Sequence, residues 1–235
     1  MKKSIVCLGG FFLASALAFG QTMKITSPSG GEFWPKGVYT NITWTYSGIQ
    51  DNTKVKLILF KNGAKVDSIV TGVSIGSGGH GAWDWKSIGA HAGGTAAVGG
   101  GYSIRIRTMD NGPFADSALF TIYTITFTSP QTNDSWILGS SHTVAWTFGG
   151  IPAGTLVDLF LEQAVMWNVP LDKNISIGSG GSGSWDWEKA GSYIGGTAKA
   201  VGQYHILLRH SYQGLAQSPP FTFSAPPLVV SDDVK

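Results

Sequence analysis

The sequence predicts an all-β protein built as two tandem β-sandwiches of about seven strands each. Three observations predict it: a glycine- and aromatic-rich composition, an internal repeat, and apolar residues that alternate with a period of two while no stretch holds a helical spacing. The 235 residues include 33 Gly and nine Trp, with 12% aromatic and only 13% charged residues. The charged share is about half of the usual quarter, and rings are abundant. Intrinsic disorder calls for few aromatics and high net charge, so that class is excluded.

The repeat is explicit. Residues 75–85, Ile-Gly-Ser-Gly-Gly-His-Gly-Ala-Trp-Asp-Trp, match residues 177–187, Ile-Gly-Ser-Gly-Gly-Ser-Gly-Ser-Trp-Asp-Trp, at an offset of 102. The same offset aligns Thr-Ser-Pro at 26–28 with 128–130, Trp34 with Trp136, Trp44 with Trp146, Leu57 with Leu159, Tyr102 with Tyr204 and Arg107 with Arg209. Near the end the match slips by one residue, Phe-Thr-Ile at 120–122 meeting Phe-Thr-Phe at 221–223. A period near 100 residues is too long for a solenoid and suits a whole small sandwich. The expected organisation is a leader at 1–20, sandwiches at 21–123 and 124–224, and a tail at 225–235. No Pro/Gly linker separates the copies, which predicts limited freedom between them.

Within the first copy, alternation places strands at residues 24–26, 38–46, 55–60, 65–69, 83–85, 102–108 and 118–122. Ile42, Trp44 and Tyr46 share one face; Tyr102, Ile104 and Ile106 alternate with Ser103, Arg105 and Arg107, which puts the arginines toward solvent. Asn62-Gly63 between two apolar runs reads as a hairpin turn.

Lys2 and Lys3 precede an apolar run of about 15 residues that ends in Ala16, Ala18 and Gly20, the pattern of a secretory signal peptide. The run is shorter than the roughly 20 residues a membrane span needs. Cleavage after Gly20 removes Cys7, the single cysteine, so the exported chain relies on its apolar core without disulfides. The leader carries two of the 16 Lys+Arg and none of the 14 Asp+Glu, leaving 14 of each. That balance argues against nucleic acid, which calls for clustered positive charge, and no later segment is apolar enough to span a bilayer.

Eight of the nine tryptophans pair at the common offset, which the shared fold explains more simply than a site does. In each Trp-Asp-Trp both rings lie on one face and the Asp on the other, either as core packing or as a two-ring sugar-stacking face. Trp167, beside Met166, has no twin, and a ring kept off the core can anchor a ligand. The glycine-rich stretches 89–101 and 191–202 exceed hairpin length and are either structural or ligand loops. Their rings, His91 and Tyr193, join Trp167 and Met166 as the candidate ligand-binding residues.

No catalytic set is legible. His80, His91, His142, His205 and His210 show no metal-ligand spacing, and His205 with His210 is a weak pair. Glu32 and Asp134 follow the Thr-Ser-Pro motif, Asp110-Asn111-Gly112 reads as a turn, and no nucleophile elbow leads a strand into a helix. The expectation is therefore no catalytic residue, no metal and no cofactor. Asn41, Asn133 and Asn174 begin glycosylation-acceptor triplets.

The motif order Ile25–Pro28, Gly31–Gly37, Ile42–Trp44, Val55–Leu59, Trp83–Trp85, Gly101–Ile106 and Ser117–Ile122 resembles the immunoglobulin-like domain that opens the yeast Kre/Knh cell-wall-synthesis proteins. That domain also occurs in Ser/Thr-rich anchored surface proteins and in prokaryotic exported proteins. The resemblance covers residues 23–224 in both copies and implies immunoglobulin-like or fibronectin-like sandwiches without catalytic residues, linked to cell-wall glucan or surface attachment. The Met-Lys-Lys leader suits a bacterial secreted relative. The expected function is an exported, non-enzymatic surface or cell-envelope protein that binds a glycan or an envelope protein. The alternatives are a fibre or surface-layer subunit, self-assembling through its tail or a strand edge, and a carbohydrate-active enzyme or its accessory module.

Overall fold

Alternating apolar residues become strands throughout the computed structural model, which describes residues 20–163, 166–199 and 202–227, with the backbone alone at Met166 and Trp167. Residues 1–19 of the leader, residues 228–235 of the tail and the side chains of Met166 and Trp167 lie outside the described residues. The first repeat holds β1 (Thr22–Ser27), β2 (Phe33–Pro35), β3 (Thr40–Ser47), β4 (Lys54–Lys61), β5 (Ala64–Ser74), β6 (His80–Trp85), β7 (Ala90–His91), β8 (Gly94–Thr95), β9 (Gly99–Thr108) and β10 (Phe114–Asp116). β11 (Phe120–Ser129) follows. The second repeat holds β12 (Ser135–Ile137), β13 (His142–Gly149), β14 (Leu156–Gln163), β15 (Met166–Ser176), β16 (Ser182–Trp187), β17 (Ser192–Tyr193), β18 (Gly196–Thr197), β19 (Gln203–His210), β20 (Gln213–Gln217) and β21 (Phe221–Ser224).

The described chain is all-β and packs as two sandwiches in tandem. One sheet runs β1-β3-β6; a second runs β5-β4-β9-β11-β13-β16, with β2 and β10 beside it; a third runs β12-β21-β19-β14-β15, with β20 beside β19. The seven strands read from alternation are present with shifted ends. Val38 and Tyr39 stay half exposed in the bend before β3, and β5, the second strand of the Asn62-Gly63 hairpin, extends to Ser74. Alternation was too short to reveal β2, β10 or the two-residue strands inside the glycine-rich stretches.

Among the described residues, the buried ones form two cores. Ile42, Trp44, Leu57, Leu59, Ile104 and Ile106 centre the first; Val144, Trp146, Leu159, Leu161, Ile206 and Leu208 centre the second. In each core an indole closes the sandwich. The Trp44 Nε1–H donates to the Ile75 carbonyl (2.7 Å), and the Trp146 Nε1–H donates to the Ile177 carbonyl (2.9 Å). The conserved-offset glycines of the long motif make room for these rings: a Cβ on Gly81 would lie 2.0 Å from the Ile75 oxygen and 2.3 Å from Trp44 Nε1, and one on Gly183 would meet Ile177 and Trp146 in the same way.

β11 belongs to both repeats. Phe120 pairs with Tyr102 and Tyr123 with Pro35, whereas Thr124 pairs with Gly149 and Phe127 with Trp146. Tyr123 packs into the second core and its hydroxyl donates to the Leu215 carbonyl (2.6 Å). Phe33 from β2 stands edge-on to Tyr123 (6.2 Å) and to His210 (5.1 Å), and the Gln213 amide bonds both the N–H and the carbonyl of Phe33. Gly150, at φ 84°, lies so close that a Cβ would sit 2.4 Å from the Ile122 oxygen.

Trp44→Phe leaves the Ile75 carbonyl unpaired in the core and should cost about 2 kcal/mol or more, read as a lowered urea midpoint; Gly81→Ala should cost at least as much. Burial pushes the Tyr123 phenol up to about 12, so the fold holds the neutral form. Its contribution is complete below the ordinary tyrosine pKa near 10 and is lost as pH rises through about 12. Urea midpoints measured from pH 8 upward should therefore fall more steeply for the native chain than for Tyr123→Phe.

Candidate ligand-binding site

The second tryptophan of each Trp-Asp-Trp pins the glycine-rich loop that follows it. Trp85 Nε1 donates to the Ala90 carbonyl and Trp187 Nε1 to the Ser192 carbonyl, both at 2.9 Å. The small hairpins β7–β8 and β17–β18 are then docked on the neighbouring edge strand, Ala92 N–H donating to the Ser68 carbonyl (2.9 Å) and Ile194 N–H to the Pro170 carbonyl (3.0 Å). These bonds recur at the offset of 102, so the two copies build the same cleft between the hairpin, the Trp-Asp-Trp strand and the edge strand.

In the second repeat this cleft is an open groove of about 510 Å³, lined by Leu171, Asp172, Trp185, Glu188, Tyr193 and Ile194 among others. Trp187 is buried beneath it, while Trp185 is half-buried on its floor, 5.8 Å from Trp187. The Asp172 carboxylate accepts from Trp185 Nε1 (2.9 Å), fixing that ring. Tyr193 lies over Gly196, where a Cβ would come 2.7 Å from the phenol oxygen. Ile194 is 61% exposed at the rim, and Glu188 and Lys189 are exposed beside it. Two accessible rings with convergent polar groups can stack on an apolar face and bond hydroxyls.

The equivalent groove of the first repeat is about 260 Å³. There His91 replaces Tyr193, and its side chain is only 11% exposed, with Nδ1 turned toward Asp67 (3.6 Å). Asp67 is held below the ordinary carboxylate range, chiefly by the Ser68 N–H, against the opposing effect of burial. Its counterpart in the second repeat is Val169, and the counterpart of Asp172 is Val70, so Trp83 lacks the carboxylate that fixes Trp185.

Of the candidate residues, Tyr193 and His91 fall at equivalent places in equivalent grooves. Met166 and Trp167 have side chains outside the described residues; their backbone lies near the tip of the β14–β15 hairpin, with Met166 paired to Gln163. Asp172, Trp185 and Glu188 were not singled out individually. The available signal was the repeat itself, which put the half-buried ring next to the loop.

Several other ionisable residues have structural tasks. The Glu32 carboxylate accepts from Ser29 N–H (2.5 Å), Ser29 Oγ–H (2.7 Å) and Gly30 N–H (2.6 Å). Asp134 accepts from Gln131 N–H (2.8 Å), Asp84 from the Tyr39 hydroxyl (3.1 Å) and Asp186 from Thr143 Oγ–H (2.8 Å). His205 and His210 face the carbonyls of Ser218 and Leu156 through Nδ1. Ser140 Oγ lies 3.0 Å from His142 Nε2 but donates its proton to the Ile137 carbonyl (2.6 Å), so the imidazole is the donor to it and cannot act as its base. Burial lowers the pKa of His142, which stacks on Trp136 at 4.5 Å. Among the described residues, no three His, Cys, Asp or Glu side chains gather to hold a metal, and no helix is long and apolar enough to cross a membrane. Asn41, Asn133 and Asn174 are exposed.

No family model matches the chain, and no curated protein matches it. Among solved structures it is similar to the fibronectin(III)-like modules of Clostridium thermocellum CbhA, at 15% identity and a TM-score of 0.32, covering 87% of this chain and 95% of that one. It is also similar to extracellular domains 3–5 of Drosophila OTK, at 16% identity and a TM-score of 0.27, covering 86% and 65%. A third similarity is to the D1–D4 ectodomain fragment of ICAM-5, at 13% and 0.30, covering 87% and 54%.

Asp172→Ala should release the Trp185 indole, costing about 1 kcal/mol and speeding solvent exchange of its N–H in an NMR spectrum.

Proposed function

We propose that the protein is an exported, non-catalytic surface module that binds a neutral glycan chain in the groove of the second repeat. The observation that carries this reading is the pair of accessible rings, Trp185 and Tyr193, held in fixed positions over an open groove by Asp172 and Gly196. Sugars present apolar C–H faces and hydroxyls together. A rigid aromatic floor with a carboxylate and a lysine at its rim answers both, and rings already locked in place lose little entropy on binding. The groove is open at the surface, which suits a passing polymer. The first repeat keeps the architecture but offers a smaller groove, with His91 turned away toward Asp67.

The similarity of the motif order to the Kre/Knh-type domain and the leader-like residues 1–20 favour an extracellular setting and a cell-wall or envelope ligand. Assembly through the tail depends on residues 228–235, outside the described residues.

Titration of the purified protein with a panel of neutral soluble polysaccharides should identify at least one ligand. Trp185→Ala and Tyr193→Ala should each weaken it about tenfold, with the melting temperature of Tyr193→Ala unchanged. Retention of full affinity in both variants would place the ligand elsewhere, and no binding across the panel would count against a glycan.

A further inference from the structure

The outer face of the β4-β9-β10 sheet carries a charge arrangement that the duplicated scaffold does not require. Lys56 on β4 and Arg107 on β9 are direct cross-strand partners. Like charges in that relation destabilise a sheet. Neither has a carboxylate within 4.0 Å: among the described residues the ion pairs are His91–Asp67 and Arg105–Asp116. Both cations converge instead on one neutral turn residue, Lys56 Nζ donating to Asn111 Oδ1 (3.1 Å) and Arg107 Nη2 to the Asn111 carbonyl (2.6 Å). The Arg107 Nε is buried without a hydrogen-bond partner. Nearby, the Asp110 carboxylate is held below its ordinary range chiefly by hydrogen bonds from the Thr108 side chain and the Gly112 N–H (2.9 Å), with a smaller pull from the Arg107 charge. Lys54 lies two residues along the same face and is exposed.

The equivalent positions of the second repeat carry different charges. Position 158, equivalent to Lys56, is Asp158, and it stands directly across from Arg209, the equivalent of Arg107. Opposite charges occupy the cross-strand pair there, with Asp158 accepting from the Asn174 N–H (2.9 Å), whereas the same pair in the first repeat is two cations.

Aromatic surface adjoins the cations. Phe114, the cross-strand partner of Arg107 on its other side, is 51% exposed. The Arg105 guanidinium is held between the Phe114 ring (4.3 Å) and the Phe60 ring (4.7 Å) and bonded twice to Asp116 at 2.7 Å, so it braces the face and is spoken for. A flat face with paired cations beside an open ring matches an anionic group carried on a ring with an apolar side.

We propose that this face of the first repeat binds an acidic polysaccharide, its carboxylates lying over Lys56 and Arg107 and a sugar face against Phe114. This site is separate from the groove of the second repeat and does not depend on it. Charge complementarity selects the ligand: Asp116 is taken up by Arg105 and Asp110 lies near Arg107 without an ion pair to it, so Lys56 and Arg107 keep unpaired charge that a polyuronate meets at regular spacing.

The test uses the full-length protein and polygalacturonate as the probe, followed by calorimetry at low and at moderate salt, with a neutral glucan and a single-stranded oligonucleotide as comparisons. Polygalacturonate should bind, and binding should weaken with salt. Lys56→Asp copies the residue the second repeat already carries, so it should fold, melt at a higher temperature than the native chain and bind at least about tenfold more weakly. Arg107→Gln should also lose affinity, while Trp185→Ala, in the other groove, should bind polygalacturonate as the native chain does. The proposal is overturned if polygalacturonate fails to bind at low salt, if Lys56→Asp binds it with native affinity, or if the oligonucleotide binds at least as tightly, which would mark the face as a general cation surface.

Discussion

Each sandwich closes around one buried hydrogen bond, from an indole on its central strand to the isoleucine carbonyl at the start of the long glycine motif. The geometry leaves no space for a side chain at Gly81 or Gly183, because the ring and the carbonyl both approach the backbone there. An unpaired indole N–H or carbonyl at this depth would lose its bond to water without replacement. The motif is therefore a set of mutual requirements: a tryptophan on one strand, an isoleucine at a corner and a glycine between them. Its reappearance after 102 residues reflects those requirements being met twice.

From that closure the groove follows. The Trp-Asp-Trp strand starts next to the glycine, so its second ring enters the core and its N–H catches the loop beyond it. The loop then folds back as a two-residue hairpin over the edge strand. One ring of the pair is consumed by the core, and the other is left half-buried at the surface. The two-ring stacking face considered from the sequence thus becomes a one-indole floor, completed in the second repeat by Tyr193.

The shared strand β11 couples the two cores. Its hydrogen bonds change partner between Tyr123 and Thr124 without a break in the strand, and Tyr123, Phe33 and Gln213 fill the corner. The absence of a flexible linker in the sequence pointed to restricted motion, and these contacts supply the physical means. The two repeats nonetheless diverge around the grooves and on the outer sheet face: Val70 against Asp172, His91 against Tyr193, Lys56 against Asp158. Substitutions outside the two buried cores of a duplicated scaffold leave its central packing intact while changing what each copy presents.

The amino-acid order alone determined the all-β class, the duplication and the main strands, because alternation and a repeated motif are local signals that survive without knowledge of partners. It also marked the glycine-rich loops, with His91 and Tyr193 inside them. What only the tertiary structure decided is which rings stay accessible, since Trp83 and Trp85 differ in burial though they are two residues apart on one face. The same holds for Asp172 meeting Trp185 and for Lys56 standing across from Arg107. Those relations join residues far apart in the chain, and strand register and loop docking, set by the whole packed sandwich, bring them together.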